Sequence, residues 1–329
     1  MSSDAPPLRV AFAGTFAASL ADPVRAGLDT PCELIVADEA GILARLPEVD
    51  VLVTMGFTRA MGAAASRLRL VQVPGAGLDR IDRAALPAQA RLANAYGHEV
   101  GIAEYVMGGI LAWTRDFGRL DGALRQGTWA SQWAVGVPPP PAWPELRGRT
   151  LGILGYGRIG QALARRARAF DMDVRAIRRD VARSQGDGLV TLGGPDALAD
   201  VLGRADYVAV TLSLDTATRG LLGARELALM KRSAVLVNVA RAEIVDEDAL
   251  YRALADHAIA GAVLDVWYSY PTGPGPARPS RHPFHELPNV LMTPHVSGWT
   301  DGMLAARAGV IVENIRRTAR GEPPVNLVA

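Results

Sequence analysis

The sequence predicts an α/β protein of two domains built on parallel sheets. Three observations carry this expectation. Short apolar runs alternate along the chain with longer segments of helical spacing, the signature of strand–helix–strand units. The length, 329 residues, corresponds to two domains at roughly 150 residues each. One strand-to-helix junction carries three glycines in the pattern Gly-x-Gly-x-x-Gly. A composition of 49% hydrophobic and 21% charged residues supplies a sizeable core and argues against disorder.

Taken in order, the runs Leu8–Ala13, Val49–Thr54, Leu70–Val73, Thr150–Leu154, Val174–Ile177, Tyr207–Leu212, Ala234–Val239 and Val290–Thr293 read as strands. Each is short and nearly all apolar, as expected of parallel strands covered on both faces. Ile159–Phe170 and Asp246–Ala255 read as helices between them. Two stretches interrupt the alternation. Trp129–Pro144 is rich in Trp and Pro and contains four consecutive prolines, which favour an extended polyproline arm. Pro271–Pro288, rich in Pro, Gly and Arg, reads as a long loop, and long ordered loops tend to be functional. Gly321 to Val328 forms an extended C-terminal tail.

Several function classes are disfavoured at this level. Lys plus Arg (35) nearly balances Asp plus Glu (34), and a net charge of +1 provides no broad basic face for nucleic acid. The single cysteine, Cys32, excludes an intrachain disulfide and any multi-cysteine metal site, and no metal is expected. No apolar run approaches the ~18–20 residues of a membrane helix. Met1 to Leu8 lacks the basic-then-apolar pattern of a signal peptide, so the expected location is the cytoplasm.

The strand Thr150–Leu154 runs directly into Gly155-Tyr156-Gly157-Arg158-Ile159-Gly160 and then a helix. In this context the first glycine permits a tight turn, the second a close approach to a pyrophosphate, and the third close helix–strand packing. The helix N-terminus offers amides and a positive dipole end. The pattern predicts a dinucleotide site. The next strand, Asp173–Ile177, ends at Arg178-Arg179, where an NAD-specific site usually has an acidic residue for the ribose hydroxyls. A guanidinium pair suits a 2′-phosphate instead, so NADP(H) is preferred over NAD(H), with Arg183 and Ser184 as possible additions. The competing reading makes both arginines solvated loop residues.

With Arg241, Asp265 and His295 added, the chain resembles the D-isomer-specific 2-hydroxyacid dehydrogenase family. The matching motifs run nearly end to end: Val73-Pro74-Gly75-Ala76-Gly77-Leu78-Asp79, Ala103-Glu104, Leu146-Arg147-Gly148-Arg149-Thr150-Leu151-Gly152, Asn238-Val239-Ala240-Arg241, Leu264-Asp265-Val266-Trp267 and Thr293-Pro294-His295. The resemblance implies two Rossmann-like or flavodoxin-like lobes with parallel sheets and the active site in the cleft between them. Residues 1–99 plus 294–329 would form a discontinuous substrate-binding domain, and 100–293 the dinucleotide-binding domain. It also implies a homodimer, with the Trp129–Pro144 arm as a possible contributor.

The implied reaction is hydride transfer between NAD(P)H and a small 2-keto or D-2-hydroxy acid, and its reducing direction rests only on the NADP(H) preference. It needs a cation for the carboxylate and carbonyl, a proton donor for the developing alkoxide, and an aligned dry slot. By resemblance Arg241 is the substrate-binding arginine, although Ala242 stands where relatives usually carry glycine. His295 matches the proton donor. Of the other four histidines, His282 and His285 read as loop residues, His257 as a solvated helix-end residue, and His98 as either a pocket or a hinge residue. The backbone of Gly75, Ala76 and Gly77 would donate to the substrate carboxylate. Asp265, which ends the strand-like run Ala262–Leu264, would contact the nicotinamide carboxamide, with Ser297 and Gly298 beside the same ring. Phe57, Leu78 and Trp299 are candidate apolar pocket residues, favouring an uncharged substrate side chain.

One departure matters. Relatives continue from the Asp-Val-aromatic motif to a Glu that pairs with the histidine and favours its charged form. Here the run is Asp265-Val266-Trp267-Tyr268-Ser269-Tyr270-Pro271, and Tyr270 occupies the Glu position. A phenol can bond to the imidazole but brings no carboxylate charge. Formate dehydrogenases carry a glutamine there, which makes formate oxidation an alternative. A dinucleotide-sensing regulatory protein without turnover is the alternative from a different class.

Overall fold

The computed structural model describes residues 6–183, 188 and 190–328. Packing divides the chain into two compact units, Met1–His98 with Trp299–Ala329, and Glu99–Gly298.

In the first unit, β1 (Leu8–Ala13), β2 (Cys32–Ala37), β3 (Val51–Thr54), β4 (Leu70–Gln72) and β5 (Arg91–Ala93) form a parallel sheet in the order β2-β1-β3-β4-β5. Helices α1 (Thr15–Ala18), α2 (Ala21–Gly27) and α3 (Arg59–Ala64) connect them. Side chains alternate between the faces of a strand. On one side Val10, Phe12 and Val53 pack against Ala308, Ile311 and Ile315 of the terminal helix Asp301–Arg320. On the other, Ala11, Leu52 and Val71 meet Ile42, Leu46 and Leu68. Both faces are covered, which explains why β1, β3 and β4 are readable as continuous apolar runs.

The second unit contains α4 (Glu99–Arg115), α5 (Phe117–Arg125), β6 (Thr150–Leu154), α6 (Arg158–Ala169), β7 (Asp173–Ile177), β8 (Thr191–Gly193), α7 (Leu198–Arg204), β9 (Tyr207–Val210), α8 (Ala224–Leu227), β10 (Val235–Asn238), α9 (Glu247–Ala255), β11 (Gly261–Leu264) and β12 (Val290–Met292). Its parallel sheet has the order β12-β11-β10-β9-β6-β7-β8. The chain moves outward from β6 to β8, returns to β9, then moves outward the other way. The β6/β9 junction is therefore the topological switch point, where open sheets of this kind bind ligands at strand C-termini. Helices α4 and α6 cover one face, with Ile102, Val106 and Leu163 against Ile153 and Val237. Helices α7, α8 and α9 cover the other.

Three short strands, β2, β5 and β8, are absent from the apolar-run reading. All three lie at sheet edges and carry polar or half-exposed residues such as Glu33, Arg91 and Thr191. The second crossing between units falls at Gly298/Trp299, so His295, Ser297 and Gly298 pack with the second unit, not the first. The reason is local: Asp265, at the end of β11, accepts hydrogen bonds from the amides of Val296 and Ser297, both at 2.8 Å. The stretch Trp129–Pro144 has no helix or strand. Pro271–Pro288 has a single 3-10 turn, Phe284–Glu286, whose Phe284 is buried in the core.

Candidate active site

The glycine turn between β6 and α6 is built for something other than a side chain. Gly155 has φ +111°, and a Cβ there would sit 2.8 Å from the backbone N of Leu212. A Cβ on Gly160 would lie 2.5 Å from the Gly155 carbonyl oxygen. A Cβ on Gly157, by contrast, would meet nothing within 4 Å. Gly157 caps α6, and the first bond back along the helix is Gln161 N–H to its carbonyl, at 2.9 Å. The amides of Arg158, Ile159 and Gly160, in the first turn of α6, have no helical carbonyl behind them, whereas those of Gly155 and Tyr156 donate to the Ile177 carbonyl and that of Gly157 to the Gly155 carbonyl. A tight turn, an open middle glycine and a helix end fit a pyrophosphate. Within the hexapeptide, the Tyr156 side chain is buried in the core and Ile159 packs partly against the same cluster, so both bring only backbone to the turn. Arg158 is exposed.

At the end of β7, the Arg178 amide bonds to the Gly193 carbonyl at 3.0 Å, and its side chain is half-buried. Arg179 pairs with Asp215. That guanidinium, together with the amides of Thr218 and Ala217, holds the Asp215 carboxyl below its ordinary range against the opposing effect of burial. The side chain of Arg183 and the whole of Ser184 lie outside the described residues.

The histidine segment follows β12. His295 has φ +57°, in the left-handed region that non-glycine residues seldom adopt. Its amide bonds to the Thr293 carbonyl at 3.1 Å. Asp265, fully buried, accepts from the Thr293 hydroxyl at 2.6 Å in addition to the two following amides. The Trp267 indole N–H donates to the Thr293 carbonyl at 2.8 Å. The Tyr270 hydroxyl lies 2.7 Å from His295 Nδ1, and the Trp267 amide reaches the same phenol oxygen at 3.4 Å.

Arg241 stands just past β10. The Asn238 side chain shapes this turn, donating to the Arg241 carbonyl and accepting from the Ala240 amide, each at 3.1 Å. The guanidinium donates to the Ala240 carbonyl at 2.8 Å. Burial pushes the Tyr270 phenol up, while the Trp267 amide and the positive charge of Arg241 pull it back.

In the first unit, the Gly75 carbonyl accepts from the Ala95 amide at 3.1 Å and the Ala76 carbonyl from Asn94 at 3.2 Å. Gly77 follows in the same turn. His98, the last residue before the crossing, is buried. Phe57 is not a pocket residue: it is fully buried beneath β3 and β4, because the bridge to Ile81 turns its ring into the core. Leu78 packs partly against that core, and Trp299 is exposed, meeting Phe16 edge to face at 5.7 Å. Among the described residues, no group of His, Cys, Asp and Glu is placed to hold a metal ion, and no helix is long and apolar enough to cross a membrane.

The family model for the NAD binding domain of D-isomer specific 2-hydroxyacid dehydrogenases matches residues 107–297. The chain belongs to this family. It is accordingly an NAD(P)-dependent oxidoreductase. Among its relatives within the 2-hydroxyacid dehydrogenases is the glyoxylate reductase of Aeropyrum pernix, 34% identical over 299 residues, covering 87% of this chain and 85% of that one. The D-3-phosphoglycerate dehydrogenase of Methanocaldococcus jannaschii is also 34% identical, over 296 residues and 87% of this chain. This chain spans only 53% of that protein. The crystal structure of a D-isomer specific 2-hydroxyacid dehydrogenase from Xanthobacter autotrophicus Py2, in complex with NADPH and MES, is 29% identical. It has a TM-score of 0.76 and covers 99% of this chain and 98% of that one.

Sequence reading overlooked Thr293 and Tyr105 beside the histidine segment, and the anchoring of His282. Nothing in a lone Thr or Tyr on an apolar background marks it as a hydrogen-bond partner of a residue far along the chain. His282 stacks on Tyr251 with ring centroids 4.6 Å apart and lies 2.5 Å from Asp248, so it fastens the Pro271–Pro288 loop to α9.

Proposed function

We propose that this enzyme reduces a small 2-keto acid, of which glyoxylate is the simplest, to the 2-hydroxy acid, with NADPH as its preferred cofactor. The observation that carries this reading is the Tyr270–His295 pair, 2.7 Å apart, in the same unit as Arg241 and the glycine turn. Curated relatives covering most of this chain are glyoxylate reductases, which supports a small substrate.

When bound, the reduced nicotinamide supplies the hydride. Arg241 binds the substrate carboxylate and polarises the carbonyl, since a planar guanidinium fork matches a carboxylate. His295 donates a proton from Nε2 to the developing alkoxide. In that state Nδ1–H points at the Tyr270 oxygen, which accepts it whether the ring is cationic or neutral, so the imidazole keeps one orientation throughout. Gly75, Ala76 and Gly77 contribute backbone donors to substrate, and His98 lines the substrate side. The turn Gly155–Gly160 holds the pyrophosphate: Arg158, Ile159 and Gly160 through the backbone at the start of α6, and Gly155, Tyr156 and Gly157 by shaping the close approach, their own amides being bonded within the turn and to Ile177. Arg178 and Arg179 serve the 2′-phosphate, and Asp265, Ser297 and Gly298 support the nicotinamide end. Two copies of the chain associate through the second unit.

A keto-acid panel assayed with NADH and NADPH tests this reading. Glyoxylate or a close homologue should turn over fastest, with NADPH favoured and formate inert. Arg241→Ala should lower kcat/KM by at least ~10²-fold, as loss of a transition-state cation does. Dinucleotide binding without turnover of any keto acid would overturn the assignment.

A further inference from the structure

The turn that carries His295 is held in place from behind. Asp265 accepts from Val296 N–H, Ser297 N–H and the Thr293 hydroxyl. A threonine hydroxyl has a single proton. Because Thr293 spends it on Asp265, the remaining contact at its oxygen must be a donation into it. That contact is the Tyr105 hydroxyl, 2.5 Å away. Tyr105 lies on α4, which packs against β10 and β11, 188 residues before Thr293. The bonds therefore run in one direction, Tyr105 O–H to Thr293 O–H to the Asp265 carboxylate. Asp265 in turn grips the two amides that follow the histidine.

We propose that Tyr105 is a positioning residue for His295, acting through Thr293 and Asp265 to keep the imidazole in its left-handed turn. The inference rests on the reading of His295 as proton donor. Left-handed backbone at a non-glycine residue is strained and persists only where surrounding contacts over-determine it. Here each backbone N–H from Thr293 to Ser297 is bonded, Thr293 to Leu264, His295 to Thr293, and Val296 and Ser297 to Asp265, and the Trp267 indole holds the Thr293 carbonyl. Tyr105 is the outermost link. Burial, the main influence on it, pushes its phenol up to about 12, so the hydroxyl remains a donor at any working pH. Its effect is cooperative, since a donated bond strengthens the next bond in a chain.

The test is a double-mutant cycle of Tyr105→Phe and His295→Ala, with NADPH and the best keto acid from the panel. Tyr105→Phe removes one oxygen and keeps the ring, so thermal melting should show a folded protein. It should lower kcat by about tenfold, the equivalent of one lost hydrogen bond, with KM for NADPH unchanged. In the His295→Ala background the same change should cost nothing, because its target is gone. The imidazole ¹⁵N signals of His295 should also move in Tyr105→Phe, a readout that does not depend on turnover. An unchanged kcat together with unmoved signals would overturn the positioning role alone. An equal loss in both backgrounds would show that Tyr105 acts by another route. Wild-type turnover in His295→Ala would remove the donor reading itself, and the proposal with it.

Discussion

A phenol and a carboxylate do different things to the same imidazole. Both accept Nδ1–H and fix the ring, but only the carboxylate stabilises the imidazolium by charge, an effect of ~1–3 pH units for a close ion pair. With Tyr270 at 2.7 Å from His295, the geometry is retained and the charge is lost. With His295 as the proton donor proposed above, reduction needs the protonated ring, so its rate should fall as pH rises through the ring's titration. Tyr270→Glu should therefore move the basic limb of kcat against pH upward by ~1–3 units. A limb that stays where it is would separate Tyr270 from the proton step. At the end of β7, Arg178 and Arg179 differ, because Arg179 is already engaged by Asp215. Arg178→Asp should cut the NADPH-to-NADH preference by ~10–100-fold, the value of one charge-assisted hydrogen bond. An unchanged ratio would remove the 2′-phosphate from this corner of the sheet.

Two elements place the chemistry. The first is the β6–α6 junction, where Gly160 touches the Gly155 carbonyl. A methyl group only 2.5 Å from that oxygen must push α6 away from the turn. Gly160→Ala should cost ~1–3 kcal/mol of stability, as overpacking does, and weaken cofactor binding. Melting and fluorescence titration with NADPH measure the two separately. The second is the Pro271–Pro288 loop, which carries the chain away from Tyr270. It is tied to α9 where Asp248 meets His282 and Arg281, and where Ser280 donates to Glu247 at 2.7 Å. The bonds from His282 and Arg281 hold the Asp248 carboxyl below its ordinary value. A depressed carboxyl contributes stability above its unfolded pKa, near 4, and loses it as pH falls through the folded value. Hydrogen exchange of residues 278–282, corrected for intrinsic rate, should accelerate as pH drops from about 4 toward about 2. Asp248→Asn should show the faster exchange already at the upper pH.

On the scale of the whole molecule, each unit buries both faces of its parallel sheet, while one stretch buries almost nothing. In the arm Trp129–Pro144, Trp133 is 76% and Val135 98% exposed. Exposed apolar side chains gathered in one segment mark an association surface more often than a free one. The arm belongs to the second unit, in keeping with a homodimer formed there. Sedimentation should report a dimer for the native chain. A Trp133→Ala, Val135→Asp double variant should shift it toward monomer, with the far-UV spectrum preserved.

Much of this protein was legible before folding was considered. The glycine hexapeptide, the arginine after β10, the Thr-Pro-His segment and the tyrosine in a glutamate's place are all local facts. A turn of given φ, or an apolar run of given length, leaves its mark on neighbouring residues. The edge strands β2, β5 and β8 were not legible, because pairing on one side demands little apolar character. Nor were the interior roles. Phe57 turns into the core, Tyr156 keeps only its backbone in the glycine turn, and Asp265 collects donors from residues 28 to 32 positions away. Burial and long-range hydrogen bonding depend on which segments the sheet order brings together. Residue identity along the chain set the chemistry available to this enzyme, and tertiary packing alone decided which groups hold the histidine to its task.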